Sequence, residues 1–321
     1  MAETRAENRA ENRVSKPLSI DFMGKRRIAT ILSIVLVLVS LGAIAFQGLN
    51  FGLDFTGGSL VEVEFPEPIA PQAVREELDA SGFVNGVVQN FGTDRDILIR
   101  MPPQADRDQA KMGDEILASL EAAHPGVEMR QSNYVGPAVG EELTESGGLA
   151  MLTALGVVML YILFRFTGKF SIGAVVALVH DVIIVLGAFA IMQWTFDLNV
   201  LAAVLAVIGY SLNDTIVVSD RIRENFRRAR RGGTSVSVIN ESLNDTLGRT
   251  LVTSLTTLLV LVSLLIAGGE GISGFAKALT IGVIVGTYSS IYVAANMLLA
   301  LNIDRKDLLV PEKENAEPDM P

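Results

Sequence analysis

Apolar residues along this chain are gathered into six runs long enough to cross a membrane as helices. The first, Ile28–Phe46, is an uncharged run of 19 residues, which as a helix is about 28 Å long and spans a bilayer core. The others are Gly148–Phe164, Phe170–Met192, Leu198–Ser219, Leu251–Ala267 and Gly274–Leu301. A cleaved signal peptide is the alternative for the first run, but the run is longer than an ordinary signal core. The pattern therefore predicts a polytopic α-helical membrane protein with six transmembrane helices.

The polar segment between the first two runs, residues 47–142, has the pattern of a small α+β domain. Ser59–Phe65 alternates apolar and polar residues, as expected of a strand. The predicted order is strand Ser59–Phe65, helix Pro71–Ala80, strands Val84–Phe91 and Asp96–Met101, helix Ala105–Ala123 and strand Val127–Val135. This βαββαβ order predicts a ferredoxin-like domain.

Charge indicates which side of the membrane each polar segment occupies. Segment 47–142 carries 17 acidic and 6 basic residues, a net of −11, whereas the rest of the chain has 19 acidic and 20 basic residues. Basic residues cluster after the second, fourth and sixth predicted helices. They are Arg165, Lys169, Arg221, Arg223, Arg227, Arg228, Arg230, Arg231, Arg305 and Lys306. By the positive-inside rule, both termini are cytoplasmic and the acidic domain is extracytoplasmic.

Three further segments are predicted to lie in the cytoplasm. They are an N-terminal tail of residues 1–27, an Arg-rich loop of residues 220–248 and a C-terminal tail of residues 302–321. Within the loop, Ser235–Asn244 is amphipathic, which favours a helix lying on the inner membrane surface.

Composition excludes several classes of function. Half of the residues are hydrophobic and the mean hydropathy is +0.41, too apolar for an ordinary soluble domain. The chain has no cysteine and only two histidines, which excludes disulfides, thiolate chemistry and a histidine-rich metal site. No basic segment combines with stacking aromatic residues, so nucleic acid is not an expected partner. We expect no cofactor, no metal and no enzymatic activity.

Asp214 is the first candidate functional residue. It lies in the apolar run Leu198–Ser219, and a charged side chain in such a helix costs about 2.5–3.5 kcal/mol on insertion scales. Ser211, Asn213 and Thr215 add polar character around it. The pattern favours a proton-binding site, and the alternative is a polar cluster that only packs helices together.

Arg249 is the predicted partner of Asp214. It begins the fifth helix and opens a polar stripe with Thr253 and Thr257. The fourth helix descends to the cytoplasm and the fifth rises from it, so the two charges are expected at similar depth. An ion pair would favour the charged carboxylate and burial would disfavour it, which suits a site that releases and binds protons. The alternative is an arginine that extends to the membrane surface.

Two other polar groups lie in membrane-length segments. His180 and Asp181 are near the middle of the third helix, where a hydrogen-bonded structural pair or a proton relay is possible. Because consecutive residues point about 100° apart on a helix, the two are not required to share a partner. The sixth helix carries a stripe of small and polar residues, which favours close helix packing. The stripe is Gly282, Gly286, Ser289, Ser290 and Asn296.

Six motifs together resemble the SecF family of bacterial protein-export membrane proteins, a branch of the SecD/SecF family in the resistance-nodulation-division (RND) superfamily. The first motif, after the first helix, contains Gly52, Asp54, Gly57 and Gly58. The others are Val135–Gly140, Ala177–Asp181, Ile208–Thr215, Asp220–Asn225 and Leu247–Thr250. The resemblance covers roughly residues 24–302, and its specificity lies in the combination of motifs.

The resemblance implies a subunit of the Sec machinery with six helices and a periplasmic ferredoxin-like domain, in the bacterial inner membrane. It implies SecD as partner and work beside the SecYEG channel and the SecA motor on exported unfolded polypeptide, in contact with membrane lipid. It further implies use of the proton-motive force, with Asp214 and Arg249 as the proton site. Two other functions stay open: an RND-type exporter of small hydrophobic molecules and a translocon scaffold without proton flow.

Overall fold

The computed structural model describes residues 20–104, 106–166, 168–228, 234–304 and 307. A 3-10 turn at Met23–Lys25 precedes the first long helix. The elements that follow are α1 (Arg26–Phe46), β1 (Asn50–Phe51), α2 (Leu53–Thr56), β2 (Gly58–Glu64), α3 (Pro71–Ala80), β3 (Val87–Phe91), β4 (Thr93–Met101), α4 (Met112–Ala123), β5 (Glu128–Val135), α5 (Pro137–Arg165), α6 (Gly168–Met192), β6 (Thr195–Phe196), α7 (Leu198–Arg228), α8 (Ser235–Ala267), α9 (Glu270–Ser289), a π-helical segment (Ser290–Ala294) and α10 (Ala295–Ala300).

Six helices in the described part of the chain are long and apolar enough to span a membrane. They are α1, α5, α6, α7, α8 and the continuous α9–α10, in agreement with the six predicted runs. The most apolar parts of α6 and α7 are 56 % buried, against 17 % for α1, 11 % for α5 and 17 % for α8. Helices α6 and α7 therefore form the centre of the bundle, and both carry a candidate acid.

The helices extend beyond the predicted apolar runs. Helix α5 begins at Pro137, α7 continues to Arg228 and α8 begins at Ser235. The prediction of a separate surface helix at 235–244 is wrong, because this segment is the first part of α8, and most of the predicted loop 220–248 is helical too. Hydropathy marks only the lipid-spanning part of a helix, while backbone hydrogen bonding continues into water. Thr234 caps α8 by accepting a hydrogen bond from Ser237 N at 3.2 Å.

Several predicted features fall outside the described residues. They are residues 1–19 of the N-terminal tail, most of the C-terminal tail, and Arg230, Arg231, Arg305 and Lys306.

The segment between α1 and α5 forms the predicted ferredoxin-like domain. Its four strands lie in the order β3-β4-β2-β5, with every neighbouring pair antiparallel. Inward-facing residues such as Val61, Ile97 and Ile99 are fully buried and pack with Ile116 and Leu120 of α4. Helix α4 begins at Met112, later than the predicted Ala105, because residues 106–111 form turns. This core is separate from that of the membrane bundle.

A short parallel ladder joins the domain to the bundle. Strand β1 follows α1 and pairs with β6, which lies between α6 and α7. No sequence pattern predicted this ladder, because two-residue strands have no periodicity to detect. It positions the beginning of the domain against the beginning of α7.

Candidate functional site

Two carboxylates are buried inside the helix bundle. Asp181 on α6 has no exposed surface, and Asp214 on α7 is 7 % exposed. Both were selected from the sequence because they lie in apolar helices. Their partners decide what each can do.

Asp214 is held by two hydroxyl groups. Thr250 Oγ1 on α8 donates a hydrogen bond of 2.6 Å to Oδ1, and the Ser290 hydroxyl donates to Oδ2. Both donors are neutral, and no described side chain forms an ion pair with this carboxylate. The site therefore joins α7, α8 and the π-helical segment through one acidic group.

The expected contact between Asp214 and Arg249 is not formed. Arg249 is exposed and lines a polar groove of about 940 Å³ at the Arg-rich end of the bundle. Its charge is near enough to attract Asp214 through space without touching it. Consecutive residues on a helix point about 100° apart, so when Thr250 faces the bundle, Arg249 faces away.

The polar stripe predicted for α8 does not face Asp214, because Arg249 and Thr253 lie on the exposed side of the helix. Thr253 is exposed and donates only to backbone carbonyls of its own helix. The buried hydroxyl stripe is displaced by one residue and repeats every fourth position. It consists of Ser242, Thr246, Thr250 and Ser254. This spacing was present in the sequence and could have been found as a second helical face.

Asp181 has three hydrogen-bond partners. Its Oδ2 accepts from Ser211 Oγ at 2.5 Å and from Ser289 Oγ at 2.7 Å. Its Oδ1 lies 2.8 Å from Nδ1 of His180, so the two neighbours share a hydrogen bond with each other. The Nε2 atom of His180 is buried without a partner, and its ring stacks on Tyr288 with centroids 6.2 Å apart.

Two consecutive serines connect the acids. Ser289 donates to Asp181 and Ser290 donates to Asp214, and the helix changes from α to π geometry at Ser290. π-helical turns occur frequently at functional sites. The sequence indicated close packing here, which Gly282 and Gly286 provide against α7, but it did not reveal that the serines bind both carboxylates.

The other predicted supporting residues are distributed around this network. Ser211 contacts Asp181 rather than Asp214. Thr215 is buried, and its hydroxyl has no hydrogen-bond partner. Asn213 is exposed and does not join the network. A side branch runs from Tyr210 to Ser254 at 3.2 Å and on to Thr287 at 2.6 Å.

The motif after α1 lies at the other end of α7, where domain and bundle meet. Oδ2 of Asp54 accepts a hydrogen bond from Leu198 N at 3.0 Å, and Oδ1 of Asp197 accepts one from Val200 N at 2.8 Å. Both carboxylates thus satisfy backbone donors at the start of α7, where the helix dipole favours negative charge. Burial raises the pKa of Asp197; the Val200 N–H opposes this shift, and the Asp54 charge adds to it.

The glycines of this motif permit close approach. Gly52 N donates to Phe196 O at 2.8 Å, which extends the ladder between β1 and β6. Gly58 has a φ of +113°, and a Cβ at this position would lie 2.3 Å from Met101 O. Only glycine fits there. Gly57 has a φ of +65° and lies against Pro137 of α5.

Metal binding has no candidate site in the described ranges. No group of three or more histidine, aspartate or glutamate side chains there is placed to hold an ion. The buried carboxylates instead face hydroxyl and imidazole groups, which suits hydrogen bonding and proton binding.

Two family models match the segments that contain the sequence motifs described above. The family model "Protein export membrane protein SecD/SecF, C-terminal" matches residues 115–304, and the model "SecD/SecF GG Motif" matches residues 42–65. The chain belongs to the SecD/SecF family. The first match includes both buried acids, and the second includes Asp54 and the glycines that contact the start of α7.

Relatives that this SecD/SecF family member matches over almost their entire length are named protein translocase subunit SecF. The protein from Pseudomonas aeruginosa is 47 % identical over 305 residues, covering 94 % of this chain and 98 % of the relative. The proteins from Vibrio alginolyticus and Escherichia coli O157:H7 are 47 % and 41 % identical, covering 93 % and 94 % of this chain and 96 % and 94 % of their own lengths.

A solved structure also matches. The translocon-associated membrane protein SecDF from Thermus thermophilus is 37 % identical, with a TM-score of 0.80 over 88 % of this chain. A structure of SecDF in a super-membrane-facing form has the same identity and coverage but a TM-score of 0.66. The present chain spans 39 % of the length of the SecDF chain.

Proposed function

We propose that this chain is a SecF-type subunit of the bacterial Sec protein-export machinery, located in the inner membrane and without enzymatic activity or cofactor. Support comes from relatives that it matches over almost their entire length and that are named as translocase subunits. The remaining length of the SecDF chain implies a second part. We infer that SecD supplies this part as a separate partner, and that the two act beside SecYEG and SecA on exported unfolded polypeptide.

Both termini are assigned to the cytoplasm. The basic residues gather at the ends of α5, α7 and α10, while the domain between α1 and α5 is acidic. Positively charged loops are retained on the cytoplasmic side. The ferredoxin-like domain then lies in the periplasm, where an emerging polypeptide would meet it.

Asp214 is the proposed proton-binding group. The observation that carries this assignment is a carboxylate buried in a membrane-length helix and held by neutral hydroxyls alone. Without a paired positive charge, its ionised form is disfavoured by burial, and its protonated form can keep a hydroxyl partner. Movement of Arg249 from the groove toward Asp214 would favour the ionised form and release the proton.

The energy of such a step is sufficient to shift a conformational equilibrium. One proton crossing about 100 mV releases about 2.3 kcal/mol, which corresponds to a change of about 50-fold in an equilibrium constant. Helix α7 provides a mechanical connection. It carries Asp214 about 24 Å from its first residue, Leu198, which Asp54 of the domain junction caps.

Replacement of Asp214 by Asn tests this role. Asp214→Asn keeps the shape of the side chain but cannot exchange a proton, so export of a precursor into inverted membrane vesicles should lose its stimulation by the proton-motive force. Asp245→Asn is a matched control. The pentapeptide Ser-Leu-Asn-Asp-Thr around Asp214 occurs a second time around Asp245, but Asp245 is partly exposed and pairs with Arg221. Full potential-dependent export by Asp214→Asn would exclude a proton site at this residue.

A further inference from the structure

A cavity of about 920 Å³ lies where three helix ends meet. Residues from the start of α1, the start of α8 and the end of α10 line it, including Arg26, Arg27, Ile31, Val236 and Leu299. Since α1 and α8 begin on the side of the membrane where α10 ends, the cavity is at one membrane surface. Its lining contains none of the residues that bind Asp181 or Asp214.

The polar lining contains unpaired groups. Neither guanidinium of Arg26 and Arg27 makes an ion pair or hydrogen bond to any described residue. The Oδ1 atom of Asn296 is buried and also lacks a partner, although its Nδ2 donates to Thr30 Oγ1 at 3.0 Å. Asp304 also lines the cavity and is not one of these unpaired groups; the two arginines and this acid give the lining a formal net charge of +1.

The apolar part of the lining continues toward the lipid. Ile31 follows one turn after Arg27 and is 63 % exposed, and Ile28 beside it is 72 % exposed. A ligand bound at the arginines would therefore have its polar part at the membrane surface and could extend an apolar part along α1. Free inorganic phosphate would not use this apolar surface.

We propose that the cavity binds the phosphodiester headgroup of an anionic phospholipid of the phosphatidylglycerol type. The phosphodiester oxygens would accept hydrogen bonds from the two guanidinium groups, whose planar donors fit phosphate. An acyl chain would lie against Ile31. Basic pockets between helices at the cytoplasmic surface are known lipid-headgroup sites, and a single negative charge balances the lining.

Native mass spectrometry of the full chain tests this site. The protein in detergent is mixed with equal amounts of phosphatidylglycerol and phosphatidylethanolamine, and retained lipid is counted. We expect retention of phosphatidylglycerol in preference to phosphatidylethanolamine. Each lost charge-assisted hydrogen bond should weaken binding about tenfold. The double variant Arg26→Gln/Arg27→Gln should therefore retain at least about tenfold less phosphatidylglycerol than the wild-type protein. Arg227→Gln/Arg228→Gln removes the same charge outside the cavity and should retain the wild-type amount.

Three results would overturn the proposal. One is equal retention of the two lipids by the wild-type protein, which does not depend on any variant folding correctly. Another is the same loss of phosphatidylglycerol from both double variants, which would indicate general charge attraction. The third is displacement of the lipid by millimolar inorganic phosphate, together with thermal stabilisation by phosphate equal to that by phosphatidylglycerol. That result would assign the arginines to a soluble anion.

Discussion

At the scale of single residues, the two buried acids differ in what surrounds them. Asp181 binds an imidazole and two serines from three helical segments, so all of its partners lie deep in the bundle. Asp214 binds Thr250, which lies one helical turn from Thr246 in the lining of the polar groove. Asp214 is thus the acid nearer to a polar surface, which suits exchange of a proton with water.

Thr250 should matter more than its neighbour Thr253. Thr250→Val keeps the shape but leaves a lone pair of the buried Asp214 carboxylate without its donor, at a cost of about 1.5–3 kcal/mol. We expect a lower unfolding temperature and weaker potential-dependent export. Thr253→Val, on the exposed face of the same helix, should leave both unchanged. Equal effects of the two substitutions would contradict the assignment of faces on α8.

Asp197 should give the stability of the protein a pH dependence. Because burial raises its pKa, the folded protein binds this proton more tightly than the unfolded chain. The free energy of unfolding therefore falls as the pH rises from about 4, the ordinary value, through the raised pKa. Asp197→Asn retains a helix-capping oxygen but cannot titrate. Across this pH range, the unfolding temperature of the variant should change less with pH than that of the wild-type protein. An unchanged pH dependence in the variant would refute the effect.

At the scale of elements, glycines set how closely the helices pack. Gly187 of α6 faces Ser40 of α1, and an added Cβ would lie 2.6 Å from the Ser40 Cα. Gly282 of α9 is similarly close to Val207 of α7. Close backbone approach is a general basis of helix association in membranes. The approach of α9 to α7 is next to the π-helical segment, whose Ser290 binds Asp214 of α7.

Gly187→Ala should destabilise the bundle. The contacts include the Cα and Cβ atoms of Ser40, which side-chain rotation cannot move, so we expect overpacking to cost about 1–3 kcal/mol. Gly156→Ala on α5 is the control, because no atom lies within 4 Å of an added Cβ there. Thermal unfolding followed by circular dichroism should show a decrease for the first variant and no decrease for the second. Because Gly→Ala by itself favours a helix, a fall of similar size in both variants would contradict the packing of Gly187 against Ser40 as the specific cause.

At the scale of the whole molecule, Arg100 connects the domain to the bundle. Its guanidinium donates to Thr195 Oγ1 at 2.9 Å and to Asn50 Oδ1 at 3.3 Å. Burial lowers the pKa of Arg100, and the nearby charge of Asp197 opposes this shift. One arginine of strand β4 thus binds both strands of the ladder that precedes α7.

Arg100→Met should loosen this junction without unfolding the domain. We expect faster hydrogen exchange in β1, β6 and the first turn of α7, with unchanged exchange in the domain core, and weaker export. Arg95→Met is the control, since Arg95 is 48 % exposed and pairs with Glu64 at the surface, where an ion pair contributes at most about 1 kcal/mol. Unchanged exchange at the ladder in Arg100→Met would show that other contacts hold the domain.

The sequence by itself determined the large features of this protein. Six apolar runs identified six membrane helices, because lipid requires continuous apolar surface over a fixed length. Alternation and turn residues identified the ferredoxin-like domain, and the cost of a charge in lipid singled out Asp181 and Asp214. Each of these signals is local, so it can be read along the chain.

Only the tertiary structure decided which groups meet. The contact of Asp214 with Thr250 instead of Arg249 depends on the rotation of α8 by a single residue, about 100°. The link from Ser289 and Ser290 to two different acids depends on the position of this helix against both α6 and α7, and the β1–β6 ladder joins strands 145 positions apart. Hydropathy cannot specify these contacts, because helix rotation and long-range pairing follow from the packing of all the helices together.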